Sequence, residues 1–163
     1  MDRVHAEHGF PPLYNEDSDT LILGSFPSIK SREQNFFYGH KQNRFWKMLA
    51  GVYEEATPET IEDKRAFCKR HRIALYDSIE SCDIIGSSDS SIRNIEPANL
   101  DPIFKASKIK KVIFNGSASK KWFYAFQTEK EGVAYYMAPS TSAANAACKI
   151  EQLIEVWGGF LLN

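Results

Sequence analysis

The chain has 163 residues, of which 20 are basic and 21 acidic, for a net charge of −1. Hydrophobic residues make up 43% and charged residues 25%, which excludes a disordered chain and fits a single globular domain over 1–163 with its own core. The charge balance gives no global signature of nucleic-acid binding, although a local basic face would suffice to meet phosphates.

The N-terminal MDRVHAEHGF is too polar for a signal peptide and every apolar run is short, so a cytoplasmic protein with no membrane contact is expected. TLILGS (20–25) then predicts a buried strand, short, apolar and stopped by Gly and Ser. GSFPS and an aromatic loop follow, and Asn43 to Val52 predicts a short helix with Phe45, Trp46 and Leu49 on one face. A second helix is expected over 58–72, capped by Thr57, opened by Pro58 and burying Ile61 and Phe67. IALYDS (73–78) repeats the buried-strand pattern, and SCDIIGSSDSSIRNIEP (81–97) reads as a long polar loop. The strand KKVIFNG (110–116) lies between two helical patterns, 97–107 with Leu100, Ile103 and Phe104, and 117–127 with Trp122, Phe123 and Phe126. VAYYMA (133–138) gives a fourth strand, and PSTSAAN (139–145) opens a last helix, 143–157, with Ala147, Ile150, Leu153, Ile154 and Trp157 on one stripe.

Continuous apolar strands alternating with helices predict a three-layer α/β/α sandwich around a four-stranded parallel sheet, with right-handed crossovers. The three cysteines, Cys68, Cys82 and Cys148, are odd in number and lack CxxC spacing. They argue against a zinc site, a disulfide framework and a four-cysteine iron–sulfur cluster, leaving reduced structural thiols.

In an open parallel sheet, ligands bind beyond the carboxyl ends of the strands. GSFPS, Asp77-Ser78, Asn115-Gly116-Ser117 and PSTSAAN collect there and describe one pocket. No GxGxxG or GxxxxGK[ST] is present, which argues against a dinucleotide or P-loop site. Ser140, Thr141 and Ser142 just ahead of a helix suit an anion, and read equally well as a plain N-cap. GSFPS is not a GxSxG elbow, and only His40 lies in a pocket loop, so a serine triad is poorly served. What remains are aromatics, amides and hydroxyls: Phe26, Phe36, Phe37, Tyr38, His40, Asn43 and Asn115. Aromatic faces stack on flat rings and amides read base edges. Phe36, Phe37 and Tyr38 are adjacent, so at least one is expected outside the core.

These residues resemble the uracil-DNA glycosylase superfamily. The resemblance rests on GSFPS, FFYGHKQNRFW, LYDSIESC, GSSDSSIRN and PSTSAAN, and runs from about Thr20 to Trp157. It is nearest to the hypoxanthine-DNA (deoxyinosine) glycosylase branch, and NRFW is also similar to the mismatch-specific uracil and thymine branch. The resemblance implies a monomeric, metal-free and cofactor-free enzyme that flips a deaminated base, hypoxanthine or uracil, out of DNA and hydrolyses its N-glycosidic bond. Two departures stand out. Ser25-Phe26 replaces the Asp or Asn that many members carry in the first motif, and Ala138 replaces the His that several carry before Pro-Ser. Those departures keep open an alternative, a weakened DNA- or nucleotide-binding module of the same fold.

The resemblance carries catalysis to Asn43, on the water or sugar side, although Asn43 also reads as a helix N-cap. Asp77 and His40 are further catalytic candidates, each with a plainer reading as a turn carboxylate or polar loop residue. Ser25, Phe26, Phe37, Tyr38 and Asn115 are expected to hold the base, with Phe37 or Tyr38 stacking on it and Asn115 also readable as a turn residue. Ser140, Thr141, Ser142 and Asn145 are expected at the DNA phosphate.

Overall fold

A computed structural model describes residues 1–163. In chain order the elements are β1 (Arg3–Glu7), β2 (Thr20–Gly24), α1 (Ile29–Gln34), α2 (Phe45–Tyr53), α3 (Ile61–Arg70), β3 (Ile73–Asp77), β4 (Ile79–Ile85), β5 (Arg93–Pro97), α4 (Asp101–Ala106), β6 (Lys111–Asn115), α5 (Ser117–Phe126), β7 (Ala134–Ala138) and α6 (Ile150–Leu161). The four apolar segments form one parallel sheet in the order β3-β2-β6-β7. Its central strand β2 is buried at every residue, as a strand covered by helices on both sides must be. The core joins the sheet to Phe45, Met48, Leu49, Phe67, Ile103, Phe123, Leu153 and Trp157 from the helices, which completes the three-layer sandwich. No helix is long and apolar enough to cross a membrane.

A second sheet was not foreseen. β1, β4 and β5 form an antiparallel sheet in the order β1-β4-β5. The expected loop 81–97 is therefore largely a strand pair around a short turn. Its Gly and Ser residues masked a strand in which Ile79, Ser81, Cys82 and Ile84 are buried, the alternation breaking between Ser81 and Cys82 where the pairing with β5 shifts register. β4 starts one residue after β3 ends, so the chain passes from one sheet to the other at Ser78. Ala6, Phe26, Ile79, Cys82, Ile84 and Ile92 make a small separate core beneath this sheet.

Helix boundaries also shift. Thr60, not Thr57, caps α3, its hydroxyl accepting the Asp63 N–H at 3.0 Å. Pro58 consequently lies before the cap, and Ile61 is 39% exposed while Phe67 is fully buried. Phe126, at the end of α5, is 48% exposed rather than inward. The last helix begins at Ile150, so Ser140–Ser142 do not stand at its N-terminus. The carbonyls of Thr141, Ser142, Asn145 and Cys148 instead accept from the Arg44 guanidinium, which holds 139–149 as a turn-rich loop.

Gly116 links β6 to α5 at φ +92°, and a Cβ there would come within 3.0 Å of Ser140 Cβ. Both conditions exclude a side chain. Gly116→Ala is expected to lower unfolding free energy by more than ~1 kcal/mol, read as a lower urea midpoint at unchanged slope.

Candidate active site

A cavity of about 320 Å³ opens at the carboxyl ends of the parallel strands. The loop after β2, the ends of β3 and β6, the turn after β4 and the 140–143 segment all contribute to its wall. The space depends on Gly24, the last residue of β2. A Cβ there would lie 2.4 Å from Asp77 Oδ1 and 3.2 Å from the Tyr38 hydroxyl.

Asp77 forms the floor and is 4% exposed. β2 and β3 pair in register Gly24 to Asp77, which puts its carboxylate beneath the cavity. Oδ2 meets Nε2 of the fully buried His8 at 2.7 Å. The other imidazole nitrogen, Nδ1, lies 3.0 Å from the Phe10 carbonyl oxygen. Oδ1 has no hydrogen bond within the protein and opens on the cavity.

Asn43, Thr141 and Asn115 form one network. Asn115 Nδ2 donates to Thr141 Oγ1 at 3.0 Å, and Thr141 Oγ1 donates to Asn43 Oδ1 at 2.8 Å. The Thr141 N–H returns to Asn115 Oδ1 at 3.0 Å. Asn43 Oδ1 also accepts the Phe45 N–H at 3.0 Å; Asn43 thus sits one residue ahead of Arg44, the N-cap of α2, while facing the cavity. With its oxygen engaged twice, the group Asn43 has free is its Nδ2 amide. Asn115 holds the 140–142 segment as much as it faces the cavity.

The remaining expected residues divide clearly. The Ser25 hydroxyl donates to Asp89 Oδ1 at 2.7 Å. Asp89 is exposed on its outer side, but partial desolvation of its carboxyl beside the cavity pushes it above its ordinary value; the Ser25 bond opposes this and the Asp77 charge adds to it. Phe26 lines the cavity under the Arg32 guanidinium, and its backbone N–H finds no acceptor in the protein. Phe37 is 3% exposed and packs edge-on against Phe10, so little of its ring is left to stack on a ligand. Phe36 is likewise buried, and only Tyr38 of the three adjacent aromatics stays half-buried. Tyr38, at φ 54°, stacks on Phe45 at 3.9 Å. Its hydroxyl is buried without a partner, and burial, then the Asp77 charge, push the phenol up, so it stays an O–H.

His40 is exposed at the rim, where its Nδ1 accepts the Gln42 N–H at 3.1 Å, leaving Nε2–H to face outward in the neutral ring. Thr141 does not suit a phosphate: it is fully buried and its hydroxyl is engaged on both sides. Ser140 and Ser142 accept the N–H groups of Ser142 and Ala144, so their own O–H groups remain free to donate. Asn145 Nδ2 donates to the Ser140 carbonyl at 3.1 Å, an internal brace of the loop. Ala143 and Ala144 are exposed at its tip.

Three residues of the site escaped the sequence reading. His8 looked like part of a polar N-terminus. Asp89 lay in what read as a loop, yet it returns a carboxylate to the side of Ser25, where the first motif lacks one. Arg44 read only as part of NRFW, but its guanidinium gathers four carbonyls. The lone Arg between Asn43 and two aromatics at a helix start was the available signal. Burial pushes the Cys68 thiol up to about 12 and the Cys82 thiol up to about 11, as inert structural cysteines require.

No family model matches the chain. It is 33% identical over 119 residues to a hypoxanthine DNA glycosylase of Methanosarcina barkeri, covering 71% of this chain and 75% of that one. A hypoxanthine DNA glycosylase of Methanosarcina acetivorans is 29% identical over 143 residues, 85% of this chain and 88% of its own. The solution NMR structure of a candidate uracil DNA glycosylase from Methanosarcina acetivorans superposes with a TM-score of 0.80 at 26% identity, over 97% of both chains. Fold and site together define a member of the uracil-DNA glycosylase superfamily. Within it, the chain belongs to the hypoxanthine DNA glycosylase family.

Arg44→Ala is expected to cost about 1.5–3 kcal/mol of stability, the range for hydrogen bonds to a charged group, and to raise amide exchange selectively in 139–149. Tyr38→Phe removes an unsatisfied buried hydroxyl and is expected to leave the melting temperature unchanged or higher.

Proposed function

We propose that the protein hydrolyses the N-glycosidic bond of a deaminated base, hypoxanthine or uracil, flipped out of DNA into this cavity. The observation that carries the reading is Asp77 Oδ1, an acceptor with no donor of its own at the floor of a cavity at the strand ends. Deamination turns the amidine edge of adenine or cytosine into a lactam, replacing a ring acceptor by an N–H donor. Oδ1 matches that N–H, whereas it opposes the bare ring nitrogen of the parent base. The Phe26 N–H, two residues beyond Gly24, suits the adjacent carbonyl. Guanine and thymine carry the same lactam edge, so their rejection falls to the fit around the 2-amino and 5-methyl groups.

As the bond to C1′ breaks, its electron pair goes to the base and the sugar gains oxocarbenium character. Water then gives its oxygen to C1′ and a proton to the base. Asn43 Nδ2 is assigned to the reacting sugar and base side, and Asp89, with Ser25, to the orientation of the water. Tyr38 and Phe26 form the aromatic wall for the flipped base. The free O–H groups of Ser140 and Ser142 and the rim His40 suit the flanking phosphates, with Asn145 bracing them. The same reading has the protein acting as a cytoplasmic monomer on DNA, without metal or iron–sulfur cluster.

Oligonucleotides bearing inosine or uracil should yield alkali-labile abasic sites with the wild-type protein. The absence of cleavage with any deaminated base at enzyme excess would refute the proposal and favour a binding module. Asn43→Ala is expected to lower the single-turnover rate by about 10²-fold or more. Asn43→Ser keeps an oxygen able to accept the Phe45 N–H but has no amide, so it should retain the melting temperature and still lose the rate.

A further inference from the structure

We infer that His8 is a positioning residue that shares a proton with Asp77, fixing the carboxylate and cancelling its charge so that Oδ1 receives a base N–H without opposing the base's departure as an anion. This rests on the proposed base excision.

The protonation pattern follows from the partners. The Phe10 carbonyl can only accept, so His8 Nδ1 carries a hydrogen. At 2.7 Å, Nε2 and Asp77 Oδ2 must have a second proton between them, on one side or the other. With that proton on the imidazole, the pair is an ion pair; with it on the carboxyl, both groups are neutral. In either arrangement the net charge is zero and Oδ1 faces the cavity as an acceptor. A lone carboxylate at this place would repel a base that leaves with the electron pair of the glycosidic bond.

The surroundings make the pairing necessary. His8 is 0% exposed and sits among the rings of Phe10 at 4.4 Å, Tyr76 at 4.3 Å, Phe37 at 6.0 Å and Phe26 at 6.4 Å. His8 therefore has no water shell of its own, and Asp77 is the polar partner left for its Nε2. The antiparallel sheet delivers the imidazole: Glu7 pairs with Ser81, and the His8 N–H donates to the Glu80 carbonyl at 2.8 Å. The other titratable groups around the pair are Tyr38 and Asp89 near Asp77, and Tyr76, whose hydroxyl donates to Glu80.

The test compares single-turnover excision by wild type, His8→Gln and His8→Gln/Asp77→Asn at pH 8. Gln fills much of the imidazole volume and can donate to Asp77, but cannot supply its proton. His8→Gln leaves the Asp77 carboxylate without its proton-sharing partner, and its rate is expected to fall about tenfold or more behind wild type. Asp77→Asn in that background should recover rate at pH 8, because a neutral amide oxygen still accepts the N–H. Asp89, Tyr38 and Tyr76 are common to all three proteins and cancel in the comparison. A His8→Gln rate equal to wild type, or reduced without recovery in the double variant, would overturn the inference. Imidazole ¹⁵N spectra give a readout without substrate: protonated Nδ1 supports the inference and unprotonated Nδ1 overturns it. Wild-type inactivity on every deaminated base would instead overturn the proposed excision.

Discussion

The cavity exists because residue 24 has no side chain. β2 ends where the Asp77 carboxylate and the Tyr38 hydroxyl converge, and any Cβ at Gly24 would collide with the first of them. The strand end can therefore approach both groups while leaving space above. The Asp77 carboxylate, the open Phe26 N–H and the aromatic wall all take their positions from this close approach. A binding site at the carboxyl ends of parallel strands is common; here one glycine decides whether the space is a pocket or a plug.

A second constraint organises the opposite wall. An anion site at the N-terminus of the last helix would use free N–H groups and the helix dipole. The chain does otherwise. Arg44 binds the carbonyls of the 139–149 loop and so turns its hydroxyls, rather than a helix end, toward the cavity mouth. The buried Thr141 then connects Asn43 to Asn115, two amides from elements far apart in the chain. The loop wall and the amide network both answer to the residues that open α2, Asn43 and Arg44.

The parallel sheet was legible because its strands are continuous apolar runs with clear stops. The aromatic loop, Asn43 and Asp77 were legible because polar residues beyond such strands have few structural reasons to cluster. The antiparallel sheet was not, since β1 buries only Ala6 and β4 mixes Ser and Asp with its apolar residues. Thr60 and Thr57 are equivalent caps by type, and only the hydrogen bond to Asp63 separates them. Phe37 illustrates a different limit: an aromatic beside a polar loop looked available, but Phe10, from the unrecognised N-terminal region, covers it. His8 and Asp89 were missed for the same reason, being brought in by the sheet that periodicity did not reveal.

The passage of the chain from β3 straight into β4 ties the cavity floor to both sheets. His8 and Asp77 are 69 residues apart, and Thr141 and Asn43 are 98 apart. Neither pair can form by local folding; each waits for loops of that length to close. The two halves of the site thus need the parallel sheet, the antiparallel sheet and the C-terminal loop all in place. A chain with a native central sheet alone would lack the His8–Asp77 contact and the amide network, so the polar floor and wall of the cavity belong to the completed fold.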